Sequence, residues 1–454
     1  MFTIEEIIQA VSARVVCPGR SRKVRSVSID SRTTRPASVF IAVIGTRCDG
    51  HAFIKDAVAK GAACVIVQKG HFFNSRACAG VWVLEVADTT KALGDVARFH
   101  RNRFSIPVIA VTGSNGKTTT KEMLATLLGQ RYTVLKTAGT QNNHIGLPLT
   151  LLKLKPSHQA AVLELGTNHP GEIAYLGGIC LPTMCVITAV GPSHLEFFKT
   201  VAGVRKEKLS LLKFLRAPGG IAVVNADDVR LRGCKAPFVV TYGCSHPADF
   251  SAKAVVRRGK EQCFTMHGQE FVLPVIGEHN VSNCLAAIAC ARLLGLTSAE
   301  AAKALRRVRL PAGRLQVKRI RQVDCIDDSY NANPFSLAQA LRSLRQWPGT
   351  GRKVFIMGDM LELGRGSLQF HRQAGKQAVS SCDIFISVGK QARHAADAAR
   401  EHGLPRQQVF CCSSCGQAAA VLRDTLRVAK GDVVLAKASH SMHLGEVFGM
   451  LAGK

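Results

Sequence analysis

The sequence predicts an α/β protein made of three domains. The chain has 454 residues, which corresponds to about three domains at the usual size of roughly 150 residues each. Short apolar runs alternate with stretches of helical periodicity, an order typical of parallel sheets that are covered by helices on both faces. Hydrophobic residues make up 47% of the chain and charged residues 20%, a composition that excludes a largely disordered protein.

The first expected domain, residues 1–103, is a small α/β unit. Apolar residues at Ile4, Ile7, Ile8 and Val11 have the spacing of an amphipathic helix. The basic stretch around Phe99–Phe104 is the predicted end of this domain. The other predicted elements are the strands Val39–Ile44, Ala63–Val67 and Val81–Leu84 and the helix Ile54–Lys60.

The second expected domain, residues 104–310, begins with a strand, a glycine-rich turn and a helix. These are Ile106–Thr112, Gly113–Thr120 and Lys121–Leu128. This order predicts a mostly parallel central sheet of the kind found in phosphate-loop ATPases. Further predicted elements are the strands Ala161–Leu165, Cys185–Val190 and Ile221–Asn225 and the helices Asn280–Leu294 and Ser298–Arg307.

The third expected domain, residues 311–454, follows a turn at Pro311–Arg314 that is the best candidate for a hinge. Strands and helices alternate again, which predicts a second doubly wound, Rossmann-like α/β domain. The predicted strands are Asp324–Asp328, Val354–Met357, Ile384–Val388 and Val433–Ala436, and the predicted helices are Leu337–Leu344, Phe370–Val379, Gln391–Glu401 and Ala418–Ala429.

The sequence predicts neither export nor a membrane-spanning segment. Its longest apolar runs are far shorter than the roughly 20 residues of a membrane helix. Glu5 and Glu6 stand where a secretion signal carries basic residues. The 16 cysteines lack the paired spacing of a zinc site and fit reduced thiols. We therefore expect a cytoplasmic protein without membrane insertion.

The net charge of the chain is strongly positive. It has 60 Lys and Arg against 31 Asp and Glu, a surplus of +29, and eight of the basic residues fall between Lys303 and Arg321. Such a surplus favours an anionic partner, which could be nucleic acid, a membrane surface or a small phosphorylated substrate. With only two Trp and four Tyr, the chain is poorly supplied with rings that stack on single-stranded bases.

The strongest local motif is the loop formed by Gly113, Ser114, Asn115, Gly116, Lys117, Thr118 and Thr119. A strand that enters a glycine turn and then a helix presents backbone N–H groups and a positive helix end to phosphate oxygens. Lys117 would supply a charge for the distal phosphates, and Thr118 a hydroxyl for Mg²⁺. Val111 replaces the first glycine of the usual phosphate-loop pattern.

This loop resembles the ATP loop of the Mur ligases and folylpolyglutamate synthetases, which form amide bonds with ATP. The resemblance continues along nearly the whole chain. The further matching motifs are Asp30–Arg32, Asp49–His51, Gln141–Gly146, Glu164–Asn168, His194–Glu196, Gly277–Asn283, Asp327–Pro334 and Gly358–Gly364. The last two are similar to the branch of the Mur ligases that adds a dipeptide. The Asp-Asn-Pro-Arg type of motif carried by the branch that adds the third amino acid does not occur in this sequence.

The resemblance implies a reaction and a set of ligands. The expected reaction joins D-alanyl-D-alanine to UDP-N-acetylmuramoyl-tripeptide through an acyl phosphate and releases ADP and phosphate. ATP and Mg²⁺ are the expected cofactors, and the three domains would bind UDP, bind ATP and complete the ligase site, in chain order. We expect a monomer whose partners are these small molecules rather than nucleic acid.

The resemblance also implies roles for individual residues. Thr118, Glu164, His194 and a carbamylated Lys208 would hold Mg²⁺, and Lys117, Lys208 and Asp328 would be catalytic. His279, Asn283 and Arg314 would join the loop in binding ATP. Asp30, Ser31, Arg32, Asp49 and His51 would bind the UDP moiety, and Asn331, Asn333, Lys437, Ser439 and His440 the acceptor. Lys206 is an alternative to Lys208, because Ser210 stands where the family has an acid.

One motif departs from the family pattern and leaves alternatives open. The family's Lys-Gly-Ser-Arg-Ser is Lys437-Ala438-Ser439-His440-Ser441 here. A fixed cation is replaced by an imidazole, which is largely neutral at pH 7. The alternatives are therefore a Mur-type ligase with a different amino-acid acceptor, or a weakened basic scaffold that binds nucleic acid.

Overall fold

The first part of the chain is a five-stranded sheet with helices beside it. The computed structural model describes residues 2–46, 48–71, 78–216 and 218–453. The sheet has the order β2-β7-β6-β5-β4 and is parallel except at β2, while β1 and β3 form a separate antiparallel pair. The elements are β1 (Phe2–Thr3), α1 (Ile4–Val11), β2 (Arg14–Cys17), β3 (Lys23–Val24), β4 (Ser26–Ser28), β5 (Ser38–Ile41), α2 (Ile54–Ala59), β6 (Ala62–Gln68), β7 (Trp82–Val86) and α3 (Thr89–Arg101).

The central part contains an all-parallel seven-stranded sheet, as the sequence predicted. Its order is β14-β13-β12-β11-β8-β10-β9, and a three-stranded antiparallel sheet, β15-β16-β17, follows it. The elements are β8 (Val108–Thr112), α4 (Lys117–Leu128), β9 (Val134–Lys136), α5 (Gly146–Leu151), β10 (Ala160–Glu164), α6 (Glu172–Cys180), β11 (Met184–Ile187), α7 (Leu195–Phe198), α8 (Val201–Leu209), β12 (Ile221–Asn225), β13 (Phe238–Gly243), β14 (Phe250–Ser251), β15 (Lys253–Arg258), β16 (Glu261–Met266), β17 (Gln269–Leu273), α9 (His279–Leu293) and α10 (Ser298–Leu305).

The last part is a six-stranded mixed sheet with the order β18-β19-β23-β20-β21-β22. Its strands β19 to β23 are parallel, as expected for the predicted doubly wound domain, and the edge strand β18, which was not predicted, runs antiparallel to β19. The elements are β18 (Gln316–Ile320), β19 (Val323–Asp327), α11 (Pro334–Arg345), β20 (Lys353–Gly358), α12 (Ser367–Ala378), β21 (Ile384–Val388), α13 (Ala392–Glu401), β22 (Val409–Cys412), α14 (Cys415–Ala420), β23 (Val433–Lys437) and α15 (Glu446–Ala452).

Several predicted boundaries differ from the structure. Helix α4 begins at Lys117 instead of Lys121, because Gly116 ends the loop in a left-handed conformation. The helix predicted over Ala418–Ala429 is α14, which gives way to a π-helical turn at Val421–Thr425. The predictions omitted the hairpin strands β15 to β17 and helix α3.

One hydrophobic core joins the first sheet to one face of the central sheet. It contains Ile4, Val39 and Ile66 of the first part together with Val108 and Leu163 of the central part. Helix α3 packs on α5 and α6 across the predicted boundary at residue 103. This boundary and the one at residue 310 stay predictions.

The buried Arg101 ties the first two parts together. Its guanidinium donates to the carbonyl oxygens of Cys180 and Leu181, at distances of 3.0 and 3.2 Å, and to that of Phe104. It therefore satisfies orphan carbonyls at the end of α6. The basic stretch that the sequence suggested as a domain end contains a structural cation.

The sheet of the last part has separate cores on its two faces. One contains Ile326, Leu337 and Phe355, and the other contains Val323, Ile356 and Val434. No helix in the part of the chain that the structure describes is long and apolar enough to cross a membrane.

Candidate active site

The candidate site lies at the carboxyl ends of the central strands. Strands β10 and β11 pair with opposite edges of β8, so the crevice after β8 is a topological switch point, where open α/β sheets bind their ligands. A cavity of about 590 Å³ opens there between the central and last parts. The predicted residues that line it are Ser114, Asn115, Gly116, Lys117, Thr118, Thr119, Glu164, His194, His279, Asn283, Arg314, Asp328, Asn331, Asn333 and Lys437.

A second cavity of about 400 Å³ adjoins the first. The two share the wall formed by Asn168, His194, Tyr330, Asn331 and Asn333. Ser439 and His440 line only the second cavity. Most of the predicted ATP residues thus line the first cavity, and two of the predicted acceptor residues line only the second.

The glycine loop is held in place by contacts with Asn283 and Gly191. Gly113 and Gly116 have φ values of 146° and 81°, which favour glycine. A Cβ on Gly116 would lie 2.2 Å from Oδ1 of Asn283. The Ser114 hydroxyl accepts the N–H of Gly191 at 3.0 Å. The backbone can therefore approach a ligand closely, with the N-terminus of α4 directed at it.

Lys117 is the first residue of α4 and folds back over the loop. Its ammonium donates to the carbonyl oxygen of Gly113 at 2.8 Å. Burial lowers the pKa of Lys117, an effect that the Glu164 carboxylate opposes. The side chain lies across the loop whose backbone amides would receive phosphate oxygens.

Glu164 ends β10 and is 3% exposed. It accepts hydrogen bonds from the Thr118 hydroxyl at 2.7 Å and from the Asn142 amide at 2.9 Å. The ammonium of Lys121 lies 3.7 Å from the same carboxylate and donates to the carbonyl of Thr137 at 2.8 Å. Sequence reasoning missed Lys121, although it lies one helical turn after Lys117.

Lys208 is buried in α8, with 1% of its surface exposed. Within the described part of the chain, no hydrogen bond or ion pair engages its amine. Burial lowers the pKa of Lys208 well below its usual value, and the nearby Lys117 lowers it further. Lys206, the alternative that the sequence left open, is exposed. Lys208 therefore gives up its proton more readily than a lysine in water does.

His194 lies between the central and last parts of the chain. Its Nδ1 is 2.6 Å from Oε2 of Glu362, which lies in the loop after β20. Sequence reasoning noted the motif around Glu362 but gave this residue no role. Thr118, Glu164 and His194 offer a hydroxyl, a carboxylate and an imidazole at the wall of one cavity, and this donor set fits a divalent cation.

Asp328 and Lys437 form a buried ion pair in the last part of the chain. The Lys437 ammonium lies 2.5 Å from Oδ2 of Asp328 and donates to the carbonyl of Asn331 at 3.0 Å. Oδ1 of Asp328 accepts the N–H of Leu315, just after the predicted hinge, at 3.1 Å. Burial raises the pKa of Asp328, and the Lys437 ammonium opposes that shift. Lys437 thus has a partner inside the chain that the sequence did not predict.

Arg314 connects the hinge with the phosphate loop. Its Nη2 donates to the hydroxyl of Thr118 at 2.8 Å, and its guanidinium lies over the ring of Tyr330, 4.1 Å from the centroid. The rings of Tyr330 and His440 have centroids 5.1 Å apart. Tyr330 therefore links Arg314 to the exposed His440, a role that sequence reasoning missed.

Two other predicted acceptor residues make contacts within the chain. The side-chain amide of Asn333 donates to Asn115 in the loop at 2.8 Å, while its oxygen caps α11 at Ser336 N. The hydroxyl of Ser439 accepts the N–H of Leu361 at 2.8 Å. Asn333 thus joins the last part of the chain to the phosphate loop.

The predicted adenine residues lie at the start of α9. Burial lowers the pKa of His279 to about 4, with the Lys437 and Arg342 cations adding to the shift. His279 is therefore neutral at pH 7. Asn283 is 8% exposed and donates to Oδ1 of Asn280 at 3.1 Å.

The predicted UDP residues lie away from both cavities, in the first part of the chain. Asp30 caps a short helical turn that begins at Ser31 and pairs with the exposed Arg32 at 2.8 Å, and hydrogen bonds from Arg32 lower the pKa of Asp30 to about 2. His51 is buried, with Nδ1 2.6 Å from Asp49 and Nε2 accepting the N–H of Gln68. Arg47, in the same motif, lies outside the described residues.

Comparison with known proteins relates the whole chain to one family. Profiles of the Mur ligase family match in order: the catalytic domain at residues 23–101, the middle domain at 111–291 and the glutamate ligase domain at 313–440. The UDP-N-acetylmuramoyl-tripeptide–D-alanyl-D-alanine ligase of Bacillus subtilis (strain 168) is 33% identical over 450 residues, which cover 98% of this chain and 97% of that protein.

Two solved structures have a similar fold over nearly the full length. MurF from Acinetobacter baumannii has a TM-score of 0.90 and 31% identity, covering 100% of this chain and 99% of that chain. MurF ligase from Thermotoga maritima in complex with ADP has a TM-score of 0.83 and 29% identity, covering 95% and 97%.

The buried pair leads to a stability prediction. Lys437→Met leaves the Asp328 carboxylate buried without its cation, so we expect a loss of about 3–5 kcal/mol in the free energy of unfolding. The double variant Asp328→Asn/Lys437→Met removes both charges and should regain part of that loss. Urea unfolding checks this, with the exposed Lys430→Met as the control. A Lys437→Met protein as stable as the control would contradict the prediction.

Proposed function

The chain belongs to the Mur ligase family, and on that premise we propose that it is an ATP-dependent ligase that joins D-alanyl-D-alanine to UDP-N-acetylmuramoyl-tripeptide. One observation carries the proposal: the phosphate loop, Glu164 and the Arg314 hinge meet Asp328 and Tyr330 of the last part around one cavity. A relative from Bacillus subtilis with 33% identity carries this activity in its name. The proposal favours the dipeptide over a different amino-acid acceptor.

The reaction has two bond-forming steps. The terminal carboxylate of the tripeptide attacks the γ-phosphorus of ATP, and ADP leaves. The amine of the dipeptide then attacks the acyl carbon, phosphate leaves and the amine loses a proton. Such steps need aligned reactants and fixed positive charge more than covalent help from the protein.

The phosphate loop supplies that alignment and charge. Amides at the N-terminus of α4 would bind phosphate oxygens, and Lys117 at the loop would neutralise the distal phosphates. Arg314 and Glu164 both form hydrogen bonds with the hydroxyl of Thr118. From this position Arg314 would stabilise the negative charge that develops on the transferred phosphoryl group. His279 and Asn283, at the start of α9, are proposed to bind the adenine.

Thr118, Glu164, His194 and Lys208 are the residues proposed to hold Mg²⁺. When bound, the ion supplies positive charge against the oxygens of the transferred phosphoryl group. Lysine enters this set only as a carbamate, because an ammonium cannot be a metal ligand. CO₂ adds to an uncharged amine and a proton is lost, which leaves an anionic oxygen donor.

The burial of Lys208 supports its carbamylation. The residue is 1% exposed, the pKa of its amine is lowered well below the usual value, and no polar partner within the described chain competes for that amine. Lys206 is exposed and lacks this buried environment. We therefore propose Lys208 as the carbamylated residue.

The second cavity is proposed to bind the acceptor. It borders the first at Asn331 and Asn333 and is lined by His440 and Ser439. Because Lys437 is committed to Asp328, His440 is the side chain best placed to meet the dipeptide carboxylate. The Tyr330 ring packs against the imidazole of His440 and helps to hold it in place.

The first part of the chain is proposed to bind the UDP moiety through Asp30, Ser31, Arg32 and Asp49. His51 would act indirectly, since both of its ring nitrogens are bonded within the chain. ATP and UDP-N-acetylmuramoyl-tripeptide are anionic, which gives the surplus of +29 a use without nucleic acid. We propose three domains at 1–103, 104–310 and 311–454, in a cytoplasmic monomer.

Phosphate release tests the proposed function. Purified protein should release phosphate in the presence of ATP, Mg²⁺, UDP-N-acetylmuramoyl-tripeptide and D-alanyl-D-alanine, and omission of any one component should reduce the rate to background. The ligated product is identified by mass spectrometry. Phosphate release that does not depend on the dipeptide would contradict the proposal.

Lys208 provides a test of the carbamate. Lys208→Ala should lower kcat by at least about 100-fold, on the scale of lost electrostatic stabilisation, and short carboxylic acids should restore part of it. Lys206→Ala is the matched control on the same helix and should keep wild-type activity. The reverse result, an inactive Lys206 variant and an active Lys208 variant, would contradict the assignment.

His440 provides a test of acceptor recognition. A guanidinium–carboxylate hydrogen bond is worth roughly 1.5–3 kcal/mol, so His440→Arg should lower KM for D-alanyl-D-alanine by about 10- to 100-fold. The control is His402→Arg, an exposed position outside both cavities. An unchanged KM for D-alanyl-D-alanine in His440→Arg would exclude contact between His440 and the acceptor.

A further inference from the structure

Glu362 connects the last part of the chain to the segment of the central part that carries His194. Its Oε2 lies 2.6 Å from Nδ1 of His194, and its backbone oxygen accepts the N–H of Glu196 at 3.3 Å. Gly364, at φ 59°, lies so close that a Cβ there would be 3.0 Å from Cα of Glu196. The loop after β20 therefore rests directly against the segment that carries His194.

Both residues of this contact have an unfavourable backbone. His194 has a φ of 50° and Glu362 a φ of 61°. Non-glycine residues in this region cost roughly 1–3 kcal/mol each and persist where surrounding contacts hold them. Strain on both sides of one hydrogen bond indicates that the fold is maintained to bring these two side chains together.

The loop that carries Glu362 is fixed to the rest of its own sheet. The N–H of Met360 donates to Nε2 of the buried His371 at 3.0 Å, and the N–H of Leu361 donates to the hydroxyl of Ser439 at 2.8 Å. Because of these two hydrogen bonds, Glu362 is held in a fixed position relative to the rest of the last part of the chain.

The hydrogen bond between His194 and Glu362 determines which ring nitrogen of His194 is free to bind a ligand. When Nδ1 donates its proton to a carboxylate, Nε2 keeps a free lone pair in a fixed direction, as in histidines that bind metals. His194 lines the cavity that also contains Thr118 and Glu164. Within the described residues no polar partner engages Nε2, so this atom is available to a metal ion.

We propose that Glu362 is a positioning residue that orients His194 for Mg²⁺, so that metal affinity depends on contact between the last and central parts of the chain. The identity of the ion rests on the proposed function, whereas the orientation of His194 does not. By linkage, bound metal then favours the docked arrangement by the same factor.

The proposal is tested by measuring the metal affinity of the protein in the absence of the acceptor and the tripeptide. Mn²⁺ binding to the full chain with saturating ADP is measured by electron paramagnetic resonance for the wild type, Glu362→Ala and Glu362→Gln. Loss of a carboxylate behind a ligating histidine weakens metal affinity by about 10- to 100-fold, and we expect this for Glu362→Ala. Glu362→Gln should lose less, since its amide oxygen still accepts the Nδ1 proton.

Glu401→Ala is the matched control. Glu401, the last residue of α13, is a similarly exposed glutamate of the last part of the chain, paired with Arg372 away from the cavity, and its loss should leave Mn²⁺ affinity unchanged. His194→Ala should weaken Mn²⁺ binding, and Glu362→Ala should add little to it, because the two residues act as a unit. Affinity for ADP without metal should be the same in every variant.

Two results would overturn the proposal: wild-type Mn²⁺ affinity in Glu362→Ala, or full additivity of the Glu362 and His194 substitutions. Both readouts are independent of ligation. A protein that fails to release phosphate yet shows the expected Mn²⁺ pattern would contradict the proposed function alone.

Discussion

The order of strands in the central sheet determines where every other part of the site must lie. Strand β8 has β10 on one side and β11 on the other, so the chain leaves β8 into an open crevice. Gly113 follows β8 and Glu164 ends β10, which places the glycine loop and a carboxylate at the same edge. The last part of the chain has to approach this edge for a complete site to form.

Both polar contacts and apolar packing join the last part of the chain to the central part, the apolar packing at Ile276. Thr118 meets Arg314, Asn115 meets Asn333, and His194 meets Glu362. Each contact joins a residue of the phosphate edge to a residue of the hinge or of the last sheet. A complete site at this edge therefore includes residues from both parts of the chain.

Sequence reasoning found what depends on local order. The loop at Gly113–Thr119 and the acid Glu164 were predictable because a strand, a turn and a helix follow each other directly. The partners of Lys437 and His194 were not, since they lie 109 and 168 residues away in the chain. The choice between Lys206 and Lys208 depended on which side of one short helix is covered, and the mixed composition of that helix does not reveal it.

The continuous core beneath the first two sheets has a consequence for substrate length. Because Val39 and Val108 belong to the same packed interior, the proposed UDP site and the phosphate loop are fixed on one rigid body. When one end of a substrate is bound at the proposed UDP site, its reactive end has to reach the phosphate loop across a constant distance. The enzyme can thereby select a peptide with the correct number of residues without contacting each of them.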